Sequence, residues 1–286
     1  MRPAGDTAGT RAGHLAGIYP ALMIGIFFLI PFALMLAVSV AHRVPDGFYE
    51  FAFEADNYRR IFEPVYLRTT LFSVGIAALV AAICIAIGFP FTYHLTRLPR
   101  RAQVLWLIFI LAVLSLSEVL IAFCWQVLLS RTAGIGNVAV WLGLVERASS
   151  FYPSFGAVVL ALVYLVLPYS VLVLYPPLSR LEPEIPEAAR MLGASPLRTF
   201  FGTVVPVMRP AITAAAIMIF VFTIGAYLIP QVLGKPEHWT LSVLITDQAV
   251  FNANMPFAAA LASFLMAITV VLVMAVLWLE RRQEAA

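Results

Sequence analysis

Six stretches of this chain, 15–41, 69–93, 102–129, 154–179, 210–233 and 256–279, each run past 20 residues, and Glu118 is the only Asp, Glu, Lys or Arg among them. About 20 apolar residues carry a helix across roughly 30 Å of hydrocarbon. Barrel strands would alternate polar and apolar positions over about ten residues, whereas these runs are apolar on every side. The pattern predicts an all-α membrane protein with six transmembrane helices. Composition agrees, with 62% hydrophobic and 12% charged residues, against about 45–50% and about 25% in soluble domains. A soluble globule is excluded. Read as one transmembrane domain over 1–286, the chain leaves no room for a separate soluble catalytic domain.

The net charge of +3 is ordinary for a membrane protein with Arg in its cytosolic loops and does not point to nucleic acid. Cys84 and Cys124 sit inside apolar runs, where a thiol behaves as a small hydrophobe. The first run is too long for a signal-peptide core and reads as a retained helix. Gly13, Gly17, Ala21 and Gly25 are spaced by four there, a pattern that permits close helix contact. With the N-terminus in the cytosol, the inner segments hold eleven Lys and Arg and the outer ones seven. That bias places both termini inside, and the cluster Arg97, Arg100 and Arg101 is its best anchor.

Two connections exceed a plain hairpin. The outer one, 42–68, mixes Phe48, Tyr49, Phe51, Phe53 and Tyr58 with acidic residues, as an amphipathic piece at the membrane interface would. The inner one, 180–209, is divided by Pro183, Pro186, Gly193, Ser195, Pro196 and Pro206 into two short helices. Pro186 suits a first helical position and Gly193 a terminator, so the spacing predicts a helix over Glu187, Ala188, Ala189, Arg190, Met191 and Leu192. Ser195 and Pro196 open the second helix as N-cap and first-turn residues. So short a helix is unstable alone in water. Either its alanines admit a close partner surface and Met191 and Leu192 dock there, or Glu187 pairs with Arg190 and the apolar residues fold back on the bundle. Physics alone leaves both readings open.

Glu187-Ala188-Ala189, Gly193 four residues on, and then Pro206 resemble the EAA loop of bacterial ABC importer permeases, EAA-x3-G-x9-I-x-L-P. Thr203 and Val205 depart from it, at packing positions. Trp125, Gly134, Asn137, Pro168, Leu178, Leu181, Pro230, Gly234, Pro256 and Ala259 extend the similarity to spermidine/putrescine-type permeases. The resemblance implies a bacterial inner-membrane permease subunit of an ATP-driven importer. It implies two cytosolic ATPase subunits docked on the EAA loops and a second permease, a different chain being favoured over another copy. An extracytoplasmic solute-binding protein would deliver the solute, and membrane lipid would surround the bundle. The resemblance also implies alternating access, in which ATP closes the ATPase dimer, the loops move together and the cavity opens outward.

No cofactor or metal is expected. Gly234-Lys235 has Ile229 and Pro236 where a phosphate-binding loop needs Gly and Ser or Thr, and His14, His42, His94 and His238 are scattered. For the solute path, an intramembrane carboxylate is costly and usually faces a cavity. Glu118, roughly 24 Å along a straight third span, either meets a cationic solute or hydrogen-bonds a neighbouring helix with Ser115 and Ser117. Asp247 is either a second path residue or a solvated loop acid. Trp125, Tyr164, Tyr169 and Tyr227 could offer ring faces to an ammonium group or anchor the interface. The resemblance points to a permease for a polyamine. The alternatives are an importer for ferric iron, an oxyanion or an amino-acid derivative, and an ATP-independent carrier.

Overall fold

The computed structural model describes residues 20, 22–44, 49–50, 52–132, 134–143 and 149–284. Gly13, Gly17, Ala21, Phe48, Phe51 and Arg147, with the beginning of the first predicted span, lie outside them. Among the described residues every regular element is a helix, and the β pairing is confined to one isolated bridge between His42 and Glu50. Among the described residues four helices are long and apolar enough to cross a membrane, or six if each of two bent pairs counts as one span.

The chain divides into two compact units, Met1–Glu63 with Asp247–Met266 and Pro64–Thr246 with Ala267–Ala286. In the first, α1 (Leu22–Ser39) leaves most of its apolar side chains exposed, as a lipid-facing helix does. The connection 42–68 forms α2 (Asp56–Ile61). It is tied down by Tyr58 Oη at 2.8 Å from Ser39 Oγ and by the Arg60 guanidinium over the Phe257 ring at 4.2 Å.

In the second unit, α3 (Pro64–Leu95), α7 (Phe155–Ser179) and α10 (Arg209–Gly225) pack on one another. Val80, Cys84, Val158, Leu162 and Ile219 form the buried centre. Helices α3 and α7 approach so closely that a Cβ at Gly88 would collide with Ser170 Oγ. Ser154 caps α7 by accepting the Ala157 N–H at 3.1 Å. Pro90 and Pro168 sit inside these helices, where close packing of neighbouring helices makes such breaks tolerable.

Two expectations of straight spans are corrected. The stretch 102–129 is two helices, α4 (Arg100–Leu114) and α5 (Glu118–Leu128), bent by 91°. The break contains neither Gly nor Pro, only Ser115, Leu116 and Ser117, so no punctuation announced it. The stretch 210–233 is likewise interrupted: α10 ends at Gly225 and a separate α11 (Leu228–Leu233) follows. The remaining helices are α6 (Ile135–Trp141), α8 (Glu184–Met191), α9 (Pro196–Val207), α12 (Leu241–Phe251) and α13 (Met255–Glu284).

Candidate functional site

The segment 180–209 is the sharpest candidate. Helix α8 begins at Glu184, two residues ahead of Pro186, so Pro186 is a buried third residue of the first turn rather than the first. Glu184 and Glu187 lie in its first turn and Arg190 in its last, the order that complements a helix dipole. Gly193 closes it at φ +85°. Its N–H donates to Arg190 O at 2.9 Å and that of Ala194 to Ala189 O at 3.1 Å. These two bonds satisfy carbonyls the helix end would orphan, and the left-handed conformation favours glycine. Ser195 Oγ then accepts the Arg198 N–H at 3.3 Å, capping α9 with Pro196 in its first turn.

Phe200 anchors this pair of helices, its ring 5.4 Å from Phe89 and 5.2 Å from Tyr93 of α3. Thr199 and Val204 are buried behind it, and Thr203 and Val205, where the EAA pattern departs, are half-buried. The other side is bare. Met191 and Leu192 are each 90% exposed, Leu197 72% and Phe201 65%. Glu187, Ala188 and Arg190 are exposed and Ala189 half-buried. Among the described residues Glu187 makes no ion pair with Arg190, and the apolar residues do not fold back. Together they leave exposed apolar surface on this side of α8 and α9. Glu187, Arg190 and Arg97 line a cavity of about 450 Å³ behind it. Pro206 lies beside the 74° bend between α9 and α10.

Glu118 is the first residue of α5 rather than a point along a straight span. Its carboxylate faces the backbone N–H groups of Leu228 and Ile229 where α11 begins. Oε1 is buried without a hydrogen-bond partner. Tyr227, 39% exposed, immediately precedes those two residues, so the two breaks bring Glu118 and the Tyr227 segment together. Ser115 does not join them, its hydroxyl donating to Leu111 O at 3.0 Å. Trp125 lies further along α5, its ring edge-on to Tyr164 at 5.7 Å, in an apolar cavity of about 240 Å³. Tyr169 stacks on Phe222 at 4.7 Å. Asp247 has a local partner, Oδ2 accepting from Asn252 Nδ2 at 2.9 Å.

Sequence reasoning missed the residues that hold the α10–α11 break. Ser242 Oγ donates to Ile224 O at 2.7 Å, Thr240 Oγ1 to Ala226 O at 3.3 Å, and Leu241 N–H to Ser73 Oγ at 2.7 Å. Their signal was hydroxyl residues inside and beside apolar runs, easily passed over as neutral packing. Thr223 Oγ1 and Trp239 Nε1 are buried nearby in sequence without partners. No cluster of His, Cys, Asp and Glu able to hold a metal occurs among the described residues.

Comparison with known proteins follows the same lines. The profile of a family described as binding-protein-dependent transport system inner membrane component matches residues 79–285. The spermidine/putrescine transport system permease protein PotB of Escherichia coli (strain K12) is 27% identical, covering 90% of this chain and 93% of that protein. The xylose/arabinose import permease protein XacH of Haloferax volcanii is 28% identical, covering 83% of this chain and 81% of that protein. A crystal structure of a bacterial ABC transporter that imports the acidic polysaccharide alginate superposes with TM-score 0.74 at 16% identity, covering 96% of each chain. At that identity it speaks for the fold.

Proposed function

This chain belongs to the family of binding-protein-dependent transport system inner membrane components, and on that premise we propose that its solute is a polyamine, taken as a cation along a path that includes Glu118. The chain is the permease subunit of an ABC importer, a multi-pass bacterial inner-membrane protein and not an enzyme. Importers of this family work with ATPase subunits, a second permease and a solute-binding protein. The ATP-independent carrier is set aside. The observation that carries the solute reading is the similarity to PotB over nearly the whole length of both chains.

Three finer points belong to the proposal. The bare face of α8 and α9, with Glu187, Ala188, Met191 and Gly193 at its centre, is the seat of a cytosolic ATPase subunit. The second permease is a different chain. Both termini are cytosolic, so a cysteine at Ser195 should label only from inside and one at Glu237 only from outside. In the cycle we envisage, ATP closes the ATPase pair, α8 and α9 are carried with it, and the bend at Pro206 passes the movement to α10. Glu118, beside the α11 backbone, offers negative charge to an ammonium group, and Trp125 and Tyr227 offer ring faces. No Lys or Arg lies inside any of the six apolar runs to receive an anion.

The test is uptake by proteoliposomes holding the assembled importer, its binding protein and ATP. Spermidine or putrescine should accumulate and compete with each other. Absence of polyamine uptake together with pentose uptake would replace the solute reading with the one that similarity to XacH favours, leaving the importer assignment in place.

A further inference from the structure

Helices α3, α10 and α13 enclose a groove within the second unit. Its inner part, about 340 Å³, has an apolar wall in which the alanines Ala78, Ala81, Ala216 and Ala275 stand among bulkier side chains such as Ile217 and Phe220. Val276 and Leu279 line it and also line a second cavity of about 620 Å³. There Arg209, Thr213 and Glu280 join an otherwise apolar wall. The two are one groove with an apolar trough and a charged mouth. Phe220 stands eleven residues beyond Arg209 on α10, so the trough reaches roughly 16 Å from the mouth at 1.5 Å per residue.

The mouth holds two opposite charges that do not satisfy each other. Glu280 Oε1 is buried with no hydrogen-bond partner, and among the described residues Arg209 and Glu280 form no ion pair although both line the cavity. Arg209 also opens the 17-residue α10. A single ligand with a phosphate beside an ammonium, attached to a long apolar chain, matches all three regions. We infer that the groove is a specific site for a phospholipid with an ethanolamine-type zwitterionic headgroup. One acyl chain fills the trough, the phosphate meets Arg209, and the ammonium supplies the donor that Glu280 lacks. A transmembrane helix of a partner would fill the trough but leave both charges unmatched. Which leaflet supplies the lipid follows from the topology proposed above, whereas the site does not depend on it.

The assembled importer is reconstituted in vesicles of phosphatidylethanolamine and phosphatidylglycerol in equal parts, with either lipid carrying a photoreactive group near its acyl end. Wild type should label peptides of α3, α10 or α13 that wall the trough, more strongly from the ethanolamine lipid. Ala275→Trp, at an exposed position, should cut that labelling about tenfold, equivalent to about 1.4 kcal/mol. Arg209→Gln and Glu280→Gln leave the trough intact and should retain labelling while the headgroup preference falls about threefold. These variants change only groups at the mouth, so they carry the test even if Ala275→Trp assembles poorly. Equal labelling from both lipids in wild type, an unchanged preference in both charge variants, or a disulfide between Ala275→Cys and the second permease would overturn the inference.

Discussion

The α8–α9 segment and the junction of Glu118 with α11 are both built from helices too short to stand alone, yet they solve that problem oppositely. At α8 and α9 each end is closed locally, by the Gly193 turn and the Ser195 cap, and the apolar face is left open. At the junction the helix ends are held by distant groups, Ser242 and Thr240 on α10–α11 and the α11 backbone before Glu118. A segment that is locally complete and globally bare is suited to an external partner. One that is locally incomplete and globally held is suited to the interior of the bundle.

The largest effect should come from the local closure. Gly193→Val places a β-branched residue at φ +85°, where a left-handed conformation costs about 1–2 kcal/mol or more. Its neighbourhood is otherwise open, with nothing within 4 Å of an added Cβ. The strain therefore falls on the turn that sets α8 against α9. ATPase copurification and ATP-driven uptake should drop by about tenfold, with the membrane helices still inserted. Met191→Asp, at a position 90% exposed, should weaken capture without lowering thermal stability. Undiminished capture in both variants would show that this face is not the docking surface.

Next is Glu118→Gln, which keeps the shape and the acceptor oxygen toward Leu228 and Ile229 but removes the charge. If the carboxylate meets a cationic solute, uptake should require roughly tenfold more solute, about 1–2 kcal/mol for a charge in a half-exposed setting. Assembly and basal ATP hydrolysis should be retained. If Glu118 only holds α11, Gln should transport as wild type does.

This contrast also explains what could be read in advance. Six apolar runs, and the Pro and Gly of 180–209, are local features, and local features were legible. Ser195, Pro196 and Gly193 act as their chemistry dictates; only the start of α8 moved, because Pro183 can cap a helix that then tolerates Pro186 within its first turn. The 91° break at Ser115–Ser117 was not legible. Leu, Val and Ile continue on both sides, and what bends the chain is packing of α5 against α7 and α11, a tertiary influence without sequence punctuation. The placing of Glu118 failed with it, since depth along a straight helix presupposes the helix.

A smaller effect tests the held junction. Ser242→Ala removes the donor to Ile224 O in a buried setting, and such a bond contributes about 1 kcal/mol. Thermal stability should fall modestly while ATPase capture is unchanged. The reverse pattern would dissolve the distinction between the two regions.

The smallest effect is expected at Asp247, which the sequence leaves as either a second path residue or a solvated loop acid. Its Oδ2 already accepts from Asn252 Nδ2 at 2.9 Å, and its backbone oxygen accepts the Asn252 N–H at 3.0 Å. One carboxylate oxygen is thus engaged in shaping the connection to α13, and the residue is only half-buried, so its field on a passing solute is screened by water and salt. Asp247→Asn can present its amide oxygen to Asn252 in the same geometry, so the structural bond survives and only the charge is lost. Polyamine uptake should then change less than about threefold, and that change should shrink further as ionic strength rises. A loss as deep as that of Glu118→Gln, insensitive to salt, would mean that Asp247 contacts the solute directly. The path would then rest on two carboxylates instead of the one at the α5–α11 junction.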